Sequence, residues 1–313
     1  DLAVLSEPTL LLFRVCDSMR VVFNLGFRPF FLLGGVFAVI LMALWVPAFT
    51  GGRALSTYYG QIGWHSHEMI FGYTVGVIAG FLLTAVRNWT GRPTATGASL
   101  AALITLWLLG RILPFFSATI PAWSIAVVDV AFLPALTASI AAPLVRYGEQ
   151  RNLLFVPLML GFFVANLMVH LEALGLVPGV ARHGIFLGLY LTILLIVIMG
   201  GRVIPFFTER ALPGIAIKRR PMIEWLAPLT AIAFMIAELL FPNSRLAGAL
   251  AGLAGIINGA RVISWYRHRY WKVPLLWVLH LGYGWIVVGF LLRAAASLEL
   301  IPAQFTIHAF TVG

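Results

Sequence analysis

The chain has 313 residues, of which 61% are hydrophobic and 10% charged, with a net charge of +10 and a single cysteine. A soluble domain carries about 25% charged residues. This chain therefore cannot clothe a globule in water, and lipid must be the solvent for much of its surface. Cys16 alone excludes an internal disulfide, a cysteine-rich zinc site and a cysteine-ligated iron–sulfur cluster. With no CxxCH, any haem is held non-covalently. The positive excess lies between apolar runs, which points to membrane topology and not to nucleic acid.

Residues 1–24 interrupt Leu10, Leu11, Phe13 and Val15 with Arg14, Asp17 and Arg20. That is too charged to span, and predicts an amphipathic helix lying in the membrane interface. From 25 to 313 the chain reads as one transmembrane helical bundle. A run of roughly 20 apolar residues crosses the ~30 Å hydrocarbon core as a helix, the form that satisfies every backbone group within the segment. Nine runs qualify, near 27–49, 64–86, 97–117, 121–143, 152–171, 184–206, 222–240, 246–266 and 273–296. A tenth begins near Ala303 and is cut at Gly313 without an exit signal, so further helices are expected beyond it. The fold class is all-α and polytopic.

Orientation follows from the loops. With a cytoplasmic N-terminus, fourteen Lys and Arg residues fall inside, and only Arg53, Arg182 and Arg245 fall outside. A weak internal echo joins Gly110-Arg111-Ile112-Leu113-Pro114-Phe115-Phe116 to Gly201-Arg202-Val203-Ile204-Pro205-Phe206-Phe207. The spans that carry the two strings run in opposite directions, the arrangement of inverted repeats in transporters.

Ionisable groups inside spans are expensive and mark function by default. By depth, His65, His67, Glu68, Asp129, His170, Arg111, Arg293 and His308 fall in the outer half, and His280, Arg202 and Arg261 in the inner half. Imidazoles are the commonest metal ligands and usual axial haem ligands, and arginines suit haem propionates. His308 and His280 lie within apolar runs, where an unpaired imidazole costs free energy. His65 and His67 sit at a span end, where neither needs a metal. Residues two apart on a helix do not share a face, so both could meet one ion only through an irregular turn. His170 reads as loop-facing, and Asp129 as a structural partner for Arg111.

Several strings are specific. Asn24-Leu25-Gly26-Phe27-Arg28-Pro29-Phe30-Phe31 opens the first span, and Trp64-His65-Ser66-His67-Glu68-Met69-Ile70-Phe71-Gly72-Tyr73 the second. With Gly200-Gly201-Arg202-Val203-Ile204-Pro205-Phe206-Phe207-Thr208 and His308-Ala309-Phe310-Thr311-Val312-Gly313, the chain resembles the NnrS family of bacterial inner-membrane proteins. The resemblance implies about twelve helices, haem (b-type here, given non-covalent attachment) together with copper, and a part in the response to nitric oxide and nitrosative stress. Carried onto this chain, it points to His65, His67 and His308 as metal ligands. It also points to His67, His308 and His280 as haem ligands, with Arg111 and Arg293 on the propionates. Its small-molecule partner would be nitric oxide or a nitrosyl species. Two other readings compete: a secondary transporter with an inverted repeat, and a quinol-linked redox enzyme.

Overall fold

A computed structural model of the chain describes residues 21–52 and 54–312. The interfacial helix expected over 1–24 lies almost wholly outside them. Among the described residues the regular structure is helical throughout, and nine helices are long and apolar enough to cross a membrane. They match the nine runs read from the sequence. Where helices present Val39, Ile62, Val145 and Ile263 outward, lipid is the solvent that accommodates them.

Two compact units divide the chain after Gly188. The first contains α1 (Phe27–Phe49), a long composite span, α4 (Gly97–Ile112), α5 (Ala122–Arg146) and α6 (Phe155–Ala173). The composite span consists of α2 (Gly60–His67), a π-helical stretch (Glu68–Thr74) and α3 (Val75–Thr90). Each boundary has a local cause. Gly91, with φ +65°, ends α3 in the left-handed conformation that glycine adopts without a Cβ penalty. Thr96 and Ser99 form a capping box at the start of α4. The composite span is the buried axis of this unit: 67% of its apolar window is buried, against 22% for α1. It packs on α1 and α5, and α5 packs between α4 and α6.

The second unit runs from Leu189. It takes the greater part of α7 (Ala181–Ala211), then α8 (Pro221–Leu240), α9 (Arg245–Trp265), α10 (Pro274–Ser297) and the short α11 (Gln304–Thr311). Pro221 and Pro274 open their helices at the first turn, where the missing N–H costs nothing. Helix α9 is central, packed against α8 and α10, and α11 leans on α10. Close approach rests on small residues of α9: a Cβ on Gly248 or Gly255 would meet Ser297 or Leu291.

Candidate metal centre

The composite span sets the site. After His67 the backbone passes from α-helix into seven residues of π-helix, the wider turn that recurs at functional sites. It begins only after both histidines, so His65 and His67 stay on one regular α-helical segment, where residues two apart point to different faces. His65 stacks flat on Trp45 of α1, ring centroids 3.9 Å apart at 9°. His67 turns inward and is fully buried.

Around His67 gather Glu68 beside it, Arg111 from the end of α4, Asp129 from α5, and Asn166 and His170 from α6. The last two are four apart and so share a helix face. All six are at most 5% exposed. His170 was read as loop-facing. It is buried because α6 runs on to Ala173, which leaves His170 a turn inside the helix.

The geometry is convergent. His67 Nδ1 lies 3.0 Å from a Glu68 carboxylate oxygen. His67 Nε2 lies 2.8 Å from the Asn166 amide oxygen and 3.3 Å from Asp129 Oδ2. His170 Nε2 is 3.0 Å from the same Oδ2, to which the Asn166 amide donates at 2.9 Å. Arg111 closes the ring by ion pairs to Glu68, at 2.9 Å, and to Asp129. One candidate ligand atom from each of His67, Asp129 and His170 falls within 4.8 Å of the others.

Two glycines make room for this. A Cβ on Gly110 would fall on the Asp129 carboxylate, and one on Gly72 would sit 2.5–2.6 Å from Glu68 Oε2 and an Arg111 nitrogen. The Gly72 carbonyl in turn accepts the Trp107 indole N–H at 3.0 Å, which pins α4 to the π-turn.

Two features of this cluster suit a cation. Both ring nitrogens of His67 face oxygen acceptors, while a neutral imidazole has one N–H to give. Two carboxylates against one guanidinium also leave the buried group one positive charge short, which a proton on His67 or a bound cation supplies, since buried charge is stable only when compensated. Two imidazoles and a carboxylate form a donor set for a divalent transition ion. The His67–Glu68 contact supplies the carboxylate behind a ligating histidine that fixes its tautomer.

At the rim, Tyr58 and Tyr59 precede α2. Burial, then the Asp129 charge, pushes the Tyr58 hydroxyl up to about 12. Tyr59 is also held well above the usual phenol range, by burial first and then by Asp129 and Glu68.

The remaining expected site residues belong to the second unit. His280 is 5% exposed and stacks on Tyr270, centroids 4.4 Å apart at 4°. Its Nδ1 is 2.8 Å from the Leu276 carbonyl, and its buried Nε2 has no hydrogen-bond partner among the described residues. His308 is exposed on α11, with Nδ1 2.9 Å from the Gln304 carbonyl. Arg293 is held by Glu238 through two nitrogens, at 3.0 and 2.7 Å. Both arginines expected at propionates thus already hold carboxylates. A second network pairs Arg261 with Glu224, the Val197 carbonyl and Tyr283, whose hydroxyl reaches Asn258 at 2.5 Å.

Sequence reasoning missed Asn166 altogether and set His170 aside. The spacing of Asn166 and His170, two polar residues four apart on an apolar helix, was the available signal.

The NnrS protein family matches residues 21–313. The chain belongs to the NnrS family. No curated protein and no solved structure matches it. The NnrS match covers both units, and the WHxHEM string that carried the resemblance is the segment from which His67 and Glu68 enter the buried cluster.

Proposed function

We propose that this NnrS-family chain is a haem- and copper-binding protein of the bacterial inner membrane that defends against nitric oxide or nitrosative stress. The proposed N-terminus is cytoplasmic, supported by the basic bias of the loops, so the His67 cluster lies toward the periplasmic side. The observation that carries the metal reading is the meeting of His67, Asp129 and His170, each buried, with one candidate ligand atom apiece within 4.8 Å of the others. In this reading those three hold the copper, in place of a set drawn from His65, His67 and His308.

For haem, the supporting feature is His280. Its Nδ1–H is spent on the Leu276 carbonyl, which leaves the Nε2 lone pair buried and without a partner among the described residues, so it would be available to hold a haem iron. His308 has the same Nδ1-to-carbonyl arrangement and would be the alternative residue to hold it, the two lying toward opposite ends of α10. A haem iron or copper ion held by these residues would supply the Lewis-acid and redox chemistry for a small uncharged diatomic that partitions into lipid. The chain's own part is to fix the ligands, exclude water and hold charge in balance.

The test is an absorption spectrum and metal analysis of protein purified in detergent from haem- and copper-supplied cells. A Soret band that His280→Ala or His308→Ala abolishes, and copper that His67→Ala and His170→Ala lose, are expected. A colourless, metal-free preparation would refute the proposal. It would favour secondary transport, which the buried Glu68–Arg111–Asp129 charges also suit.

A further inference from the structure

Through its hydroxyl, Tyr59 meets both imidazoles of the candidate centre. Its phenol oxygen is 3.2 Å from His67 Nε2 and 3.3 Å from His170 Nε2, the two nitrogens that also face Asp129 Oδ2. Its ring lies over the His67 ring, centroids 4.2 Å apart at 22°. The backbone that carries it is anchored independently. Tyr58 N–H donates to the Pro114 carbonyl at 2.9 Å, and Gly60 N–H to the Thr57 carbonyl at 3.0 Å, with Gly60 at φ +69°. The six other members of the cluster are buried, and Tyr59 keeps partial exposure. It therefore forms the wall between the cluster and the surface.

We infer that Tyr59 is the fourth donor of this centre, closing the His67–Asp129–His170 set with its phenol oxygen. This rests on the metal reading above and extends it. On loading, a metal–oxygen bond forms, the Tyr59 O–H bond breaks and the proton leaves to water. No electron is transferred. A divalent ion beside the hydroxyl reverses the local field that Asp129 and Glu68 impose. A site of two imidazoles, a carboxylate and a phenolate is a four-coordinate set of nitrogen and oxygen donors, suited to Cu(II). Tyr58, whose ring is 5.7 Å from that of His170 and whose hydroxyl has no hydrogen-bond partner among the described residues, serves as the control.

The experiment titrates the full chain in detergent with Cu(II), recording visible absorption, electron paramagnetic resonance and affinity. The wild type is expected to show a phenolate-to-copper charge-transfer band, with tyrosine ring modes enhanced in resonance Raman on excitation into it. Tyr59→Phe should lose the band, change the resonance parameters and bind copper on the order of tenfold or more weakly, a loss in the range seen when a metal site loses support. Tyr58→Phe should keep all three. The Raman measurement on wild type decides the matter even if Tyr59→Phe fails to fold. If copper binds in a His67- and His170-dependent manner without a phenolate band, Tyr59 is not a ligand and the metal reading stands. If no stoichiometric copper binds at all, both fall.

Discussion

Arg111 offers the sharpest test of how the cluster is held together. It is 5% exposed and lies between Glu68 and Asp129, themselves 0% and 3% exposed. Arg111→Gln removes the only guanidinium among them and leaves two buried carboxylates facing each other's field. Breaking a buried pair from one side costs about 3–5 kcal/mol. Here one side chain serves two carboxylates, so the upper part of that range applies. The same change frees Asp129 and Glu68 to move, and copper affinity should fall by roughly 10- to 100-fold, as when supporting groups of a metal site are lost. Thermal unfolding in detergent reads the first effect and a copper titration the second. Arg111→Met combined with Asp129→Leu and Glu68→Gln removes the guanidinium and both carboxylates together, so no buried charge is left unpaired. It should recover much of the stability, since such replacements are often neutral, while copper binding is lost with the Asp129 donor. If Arg111→Gln costs less than about 1 kcal/mol, the level of an exposed surface pair, the cluster is open to water and the argument fails. A variant that lost the Soret band and kept copper would return Arg111 to a haem propionate.

Two further expectations follow from the same packing. Gly110→Ala places a methyl group on the Asp129 carboxylate, so it should cost about 1–3 kcal/mol by overpacking and lower copper occupancy; unchanged occupancy by metal analysis would argue against Asp129 as a ligand. In the second unit, Arg261→Gln strips Glu224, Tyr283 and the Val197 carbonyl of a shared partner. It should lower the unfolding temperature while leaving copper affinity at the His67 cluster unchanged.

The membrane class and the number of spans were legible in the residues, because hydropathy is a local property. A helix must cover ~30 Å of hydrocarbon at 1.5 Å per residue, so each run announces itself without reference to its neighbours. The pairing of Asp129 with Arg111 could also be read, since a charge within an apolar run needs a reason, whereas His67 was marked only by the family resemblance. The partners of His67 could not. Asn166 is 99 positions away from it, and His170 is 41 away from Asp129. Which helix faces which is decided by packing between spans, through gaps such as Gly72 and Gly110, and not by any period along the chain. The π-turn after His67 likewise depends on tertiary contacts, Trp107 on the Gly72 carbonyl among them. His67 faces Asp129 and His65 stacks on Trp45 because the two lie on different faces of the α-helix that precedes it. Local polarity thus marked the residues that had to find partners, and only the assembled bundle determined which partners they found.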